Sequence, residues 1–136
     1  MGLDLGTKTL GISISDITKT IASPYSTITF AEKDYADAIS KLKEIILKEK
    51  IEKIILGLPK NMNGSLGFRA CETLEFKKML EKAFDIKVVT MDERLTTREA
   101  NIYMLEADLS RKKRKSKKDY LAANIILQAY LNKKEE

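Results

Sequence analysis

The alternation of apolar and polar positions divides this chain into short strands and amphipathic helices. Gly2-Leu3-Asp4-Leu5 and Gly11-Ile12-Ser13-Ile14-Ser15 predict two strands of a hairpin bent at Gly6 to Thr9. Ile12 and Ile14 alternate with Ser13 and Ser15, which predicts one apolar and one polar face. Pro24 to Phe30, rich in β-branched and aromatic residues, predicts a third strand, with Asp16 to Ser23 as the connection. Tyr35, Ile39, Leu42 and Ile46 recur at helical spacing between Asp34 and Lys50. Ile54 to Leu58 is almost continuously apolar, the pattern of a central strand covered on both faces. Turn formers from Pro59 to Ser65 separate it from a second helix with Phe68, Cys71, Leu74 and Phe76 in its early turns and Met79, Leu80, Ala83 and Phe84 later. Ile86 to Met91 predicts a fifth strand. Thr96 and Glu99 form a capping box at the start of a third helix, and a last helix runs from about Lys117 to Leu131 with Leu121, Ala122, Ile125, Ile126 and Ala129 inward.

The order β-β-β-α-β-α-β-α-α predicts an α/β fold, a mixed five-stranded sheet with helices on both faces, and residues 1–136 form one expected domain. No apolar run approaches the roughly 18 residues that span a bilayer, and no leader-like segment opens the chain, so a cytoplasmic protein without a membrane partner is expected. The single cysteine, Cys71, is expected as a small core residue. Histidine is absent, which removes the usual general base and leaves carboxylates, lysines and hydroxyls for any chemistry. The net charge of +5 is uneven. Residues 1–93 hold 14 basic and 14 acidic side chains, whereas 94–136 hold 11 and 6, so the whole excess lies in the last third. Its centre is the tract Arg111 to Lys118, either a solvated loop or an electrostatic footprint for a polyanion.

Three places set a carboxylate beside structure rather than on a helix face: Asp4 in the first strand, Asp92-Glu93 closing the fifth, and Asp119 at the start of the last helix. In a sheet with parallel strands, ligands bind beyond the strands' carboxyl ends. Gathered there, the three acids would need a counter-ion; Mg²⁺ or Mn²⁺ takes oxygen ligands and supports phosphodiester cleavage without histidine. Each also has a structural account. Asp4 suits the backbone N–H groups of the Gly6-Thr7 turn, Glu93-Arg94 suits a surface ion pair, and Asp119 completes a capping box with Ser116.

These residues carry a resemblance that covers essentially the whole chain. Asp4-Leu5-Gly6-Thr7-Lys8 with Gly11, Gly57-Leu58-Pro59 with Met62-Asn63-Gly64-Ser65, Asp92-Glu93-Arg94-Leu95-Thr96-Thr97 with Glu99-Ala100, and Asp119 with Ala122-Ala123 and Ile126-Leu127 resemble, in order, four motifs of the YqgF/RuvX family of the ribonuclease H-like superfamily. Two positions depart from the family pattern: Asn63 stands where Asp is common, and Thr9 where Arg is frequent. The resemblance implies a ribonuclease H-like fold and a metal-dependent nuclease with Asp4, Glu93 and Asp119 as catalytic and metal-binding acids. Between Asp92 and Glu93 the family pattern favours Glu93.

The resemblance further implies action in 5′-end maturation of pre-16S rRNA, within a ribosomal assembly particle, with Holliday-junction resolution on branched DNA as the alternative. A monomer or weak homodimer is expected. Candidate phosphate contacts are Lys8, Arg94, Arg98, Arg111, Lys112, Lys113, Arg114, Lys115, Lys117 and Lys118, with Lys60, Asn61 and Asn63 on the neighbouring loop. The opening motif also resembles the phosphate-binding element of sugar kinases and actin-like ATPases, but those need a second lobe that this length does not provide. A non-catalytic RNA-binding assembly factor is the remaining alternative.

Overall fold

The Gly6 N–H donates to the Thr9 carbonyl at 2.7 Å, closing a tight turn between β1 (Gly2–Leu5) and β2 (Thr9–Ser15). The computed structural model describes residues 1–16, 18–59, 65–92 and 122–132. With β3 (Ala22–Thr29), β4 (Lys53–Leu58) and β5 (Lys87–Asp92), these strands make one sheet in the order β3-β2-β1-β4-β5. The first three pair antiparallel, and β1, β4 and β5 pair parallel, so the sheet is mixed as its pattern predicts. β3 begins two residues earlier than expected. The register shift between Ile12 and Ser13 absorbs Pro24, whose missing N–H is tolerable on this edge strand.

α1 (Tyr35–Glu49) begins where Asp34 accepts from the Asp37 N–H and ends where Lys50 turns left-handed at φ 52°. α2 (Phe68–Ala83) supplies the crossover between β4 and β5. Both helices press on one face of the sheet. There Ala38, Leu42 and Ile46 of α1 and Phe76 and Leu80 of α2 join Leu3, Leu5, Leu10, Ile12, Ile54, Leu56 and Val88 in the main core. Tyr35 bridges the two helices, its ring edge-on to Phe30 and to Phe76 with centroids 5.9 and 5.7 Å away.

The opposite face is covered by the helical segment 122–132. Ile126, Leu127 and Leu131 pack on Ala22 and Ile55, with Val89 and Met91 at the margin. β4 therefore sends Ile54 and Leu56 one way and Ile55 the other, which is why its sequence is apolar throughout.

Three side-chain expectations are corrected. Ser13 does not face water: it is fully buried and its hydroxyl donates to the Ala123 carbonyl at 2.9 Å, because the polar face of β2 lies under the final helix. Cys71 is exposed and so is Phe68; the buried stripe of α2 is Ala70, Thr73, Phe76 and Leu80. Thr73 fits that stripe because its hydroxyl donates to the Arg69 carbonyl one turn back, at 2.9 Å. The final helix buries Ala122, Ala123, Ile126, Leu127 and Leu131, whereas Ile125 and Ala129 are half-buried. The predicted third helix, the start of the last helix and the turn at Asn63-Gly64 lie outside the described residues. Among those described, no helix is long and apolar enough to cross a membrane.

Candidate functional site

The parallel pairing of β1 with β4 and of β4 with β5 gathers three strand carboxyl ends on one edge of the sheet. The condition for Asp4 and the end of β5 to share an edge is therefore met. Asp4 is the third residue of β1, a strand inside the sheet, and is half-buried. Alternation places Leu3 and Leu5 in the main core and Asp4 on the opposite face, the one that carries Gly2, Ser13 and the final helix.

On that face the neighbours of Asp4 are small. Gly11 pairs with it across β2, and one step beyond the Leu3–Leu56 pairing sets it level with Gly57 of β4, whose own partner on β5 is Met91. Glycine on either side leaves no strand side chain beside the carboxylate. Asp4 thus lies toward the sheet edge where ligands gather in α/β folds.

Closure of this face is tight. A Cβ added to Gly2 would sit 2.7 Å from the Ala123 carbonyl oxygen, from Leu127 Cβ and from Ser13 Oγ. Gln128 of the same helix accepts from the Ala22 N–H at 2.8 Å and donates to the Thr20 carbonyl at 3.0 Å. Asp119, four residues before Ala123 in sequence, lies outside the described residues. So do Glu93, Lys60, Asn61, Asn63, Arg94, Arg98, Arg111, Lys112, Lys113, Arg114, Lys115, Lys117 and Lys118. Lys8 is described: it is exposed on the turn after β1, where its carbonyl accepts from the Phe30 N–H at 2.9 Å. Asp92 ends β5, paired with Leu58. It shares the parity of Val88, which enters the main core, and not that of Val89 and Met91 on the Asp4 face.

One group of residues was not legible as part of the site. Arg69, in the first turn of α2, donates to the Leu5 carbonyl at 2.8 Å and so ties that helix to the end of β1, next to Asp4. Glu72 meets Arg69 at 3.6 Å and Lys33 at 3.9 Å, and accepts from the Tyr35 hydroxyl at 3.0 Å. Burial and the Glu72 carboxylate raise the Tyr35 phenol above its ordinary value. The sequence signal was present in the i, i+3 spacing of Arg69 and Glu72 at the head of a helix, but that spacing marks an ordinary surface pair far more often.

Among the described residues no cluster of three His, Cys, Asp or Glu side chains forms a metal site. Asp4 offers carboxylate oxygen, a donor that hard divalent cations take.

The sheet order, the acid on an inner strand and the helices on both faces define a ribonuclease H-like α/β protein. The solved structures agree. A Thermus thermophilus RuvC in complex with a Holliday junction substrate superposes with a TM-score of 0.59 at 13% identity, covering 96% of this chain and 94% of that one. A fowlpox virus resolvase with Holliday junction DNA gives 0.57 at 12%, covering 99% and 97%. At such identities the likeness establishes the fold. The chain belongs to the RuvX family, described as Holliday junction resolvase, whose model matches residues 1–133. Relatives in Caldanaerobacter subterraneus (45% identical, covering 97% of this chain and 94% of the relative) and Bacillus subtilis (46%, covering 97% and 96%) both carry the name "Putative pre-16S rRNA nuclease". Family and relatives together support a nuclease role.

Proposed function

We propose that the protein is a divalent-metal-dependent nuclease that hydrolyses phosphodiester bonds in the 5′-end maturation of pre-16S rRNA. The observation that carries this reading is Asp4: a half-buried carboxylate on an inner parallel strand, flanked by Gly11 and Gly57, at the carboxyl edge of the sheet. Glu93 and Asp119 are its proposed companions. Glu93 follows the last residue of β5, and the parity of Asp92 toward the main core supports Glu93 over Asp92. Asp119 precedes by four positions the residue whose carbonyl receives the Ser13 hydroxyl. The names of the relatives support RNA as the substrate.

Bound Mg²⁺ or Mn²⁺ supplies Lewis-acid activation of water and charge neutralisation at the departing oxygen. The chain's own part is to hold carboxylate oxygens at the carboxyl edge of the sheet. The Gly6–Thr9 turn fixes the end of β1, Arg69 clamps the Leu5 carbonyl, and the seated final helix closes the face. Lys8 and the Arg111 to Lys118 tract hold phosphates in this reading, with a salt-dependent affinity.

The test is cleavage of pre-16S-like RNA with Mn²⁺ or Mg²⁺ by wild type and Asp4→Asn. Loss of an interaction with several kcal/mol of transition-state charge should cost about a thousandfold in rate, with RNA binding retained. Equal rates for the two proteins would overturn the assignment. Branched DNA is the second reading, favoured by the family description and by both junction-bound structural neighbours; symmetric cuts in a four-way DNA, with the RNA left intact, would establish it instead.

A further inference from the structure

Phe68 is a large apolar side chain left in solvent at the same edge of the sheet. It is the first residue of α2 and 70% exposed, with Leu66 beside it 51% exposed. It follows Gly67, an N-cap without a side-chain hydrogen bond, and precedes Arg69, whose guanidinium holds the Leu5 carbonyl. The ring is not isolated. The Lys33 ammonium stands 5.0 Å from its centroid, and the Lys33 N–H donates to the Thr7 carbonyl at 2.8 Å, within the turn that follows Asp4. Lys33 adopts φ 60°, a conformation a lysine rarely takes, so its place over the turn is imposed by the surrounding backbone. Lys8 is exposed on that same turn.

An exposed aromatic ring beside the Lys33 ammonium, which also meets the Glu72 carboxylate at 3.9 Å, next to a candidate phosphodiester-cleaving edge, has the composition of a base-stacking platform. We propose that Phe68 stacks on an unpaired base of the nucleic-acid substrate while Lys33 and Lys8 take the adjoining phosphates, so that the site selects single-stranded segments over continuous duplex. The cations match the polyanion, and the ring matches a flat π-face that is available only where a base is unpaired. Arg69 anchors the helix that carries the ring to the Leu5 carbonyl of β1, and Glu72 in turn meets Arg69. The proposal rests on the nuclease reading and adds a substrate preference to it.

The chain contains no tryptophan, so Phe68→Trp supplies a single reporter fluorophore. Titration of this variant, without added metal, with an unpaired RNA of about 12 nucleotides, the same DNA sequence and a blunt duplex should quench the indole with both single strands and not with the duplex. Phe68→Ala should weaken binding of a labelled single strand about tenfold while leaving duplex binding unchanged; Phe68→Tyr should retain it. Single strands that bind the Phe68→Trp variant yet leave its indole fluorescence unchanged, or that bind Phe68→Ala as tightly as wild type, would overturn the platform while leaving the nuclease reading intact. Absence of any nucleic-acid binding by wild type would overturn both. Quenching by the duplex equal to that by single strands would overturn the strand preference.

Discussion

The two faces of the sheet are built on different rules. The face under α1 and α2 is filled by large aliphatic and aromatic side chains, Leu3, Ile12, Leu42, Leu56, Phe76 and Leu80 among them, fully shielded from water. The face under residues 122–132 sets Gly2 and Ser13 level with Ile55, beneath Ile126 and Leu127, and has Gly11 paired with Asp4 and Gly57 one step beyond the Leu3–Leu56 pair toward the carboxyl edge. One face gains stability from volume. The other gives up volume so that a helix backbone can approach at Gly2, which is how a stable scaffold and a candidate site share a single sheet.

Removing volume from the first face should have the largest effect. Phe76→Ala is expected to cost about 3–5 kcal/mol, read as a lower denaturant midpoint with both faces unfolding together. Adding volume to the second face should cost less. Gly2→Ala drives a Cβ into the Ala123 carbonyl and Leu127, expected at about 1–3 kcal/mol. Hydrogen exchange should then show faster exchange in 122–132 while α1 and α2 keep their protection; uniform loss would mean that the faces are not separable. Ser13→Ala removes one buried hydroxyl bond to that helix, at about 1 kcal/mol, and a Gly2→Ala/Ser13→Ala double variant should be non-additive because both side chains meet at Ala123.

The smallest effect is expected at the β2–β3 connection. The Thr18 hydroxyl, then the Ile21 and Thr20 N–H groups, hold the Asp16 carboxyl below its ordinary 3.8. A carboxylate with a lowered folded value contributes stability that is full above the unfolded value and is lost as pH falls through the folded one. Asp16→Asn should therefore narrow the gap to wild type in Tm as pH drops below 3.8, whereas a constant gap from about pH 5 to about pH 2 would assign the loop's stability elsewhere.

Much of the scaffold was legible because its causes are periodic. Apolar alternation in β4, helical spacing in α1 and the turn at Gly6 to Thr9 each depend on neighbours close in sequence. The burial of Ser13 was not legible, since a serine in an alternating strand gives no sign of whether a helix 110 residues later will cover it. Phe68 misled for the opposite reason: an apolar residue at a helix start reads as core, yet the buried stripe of α2 passes through Ala70 and Thr73. Of the candidate site, what was legible was Asp4's place as a lone acid among the apolar residues of β1. Arg69 was not, because its partner is the Leu5 backbone carbonyl, which no sequence pattern marks.

The hydroxyl bond from Ser13 to Ala123 has a consequence for synthesis. On a ribosome every strand of the sheet emerges before residues 122–132 do, so the Asp4 face stays uncovered while the first core can already collapse against α1 and α2. Contacts across so many residues carry a large loop-closure cost and form slowly as a class. A nascent chain therefore carries Asp4 before the helix that seats on the same face has been made.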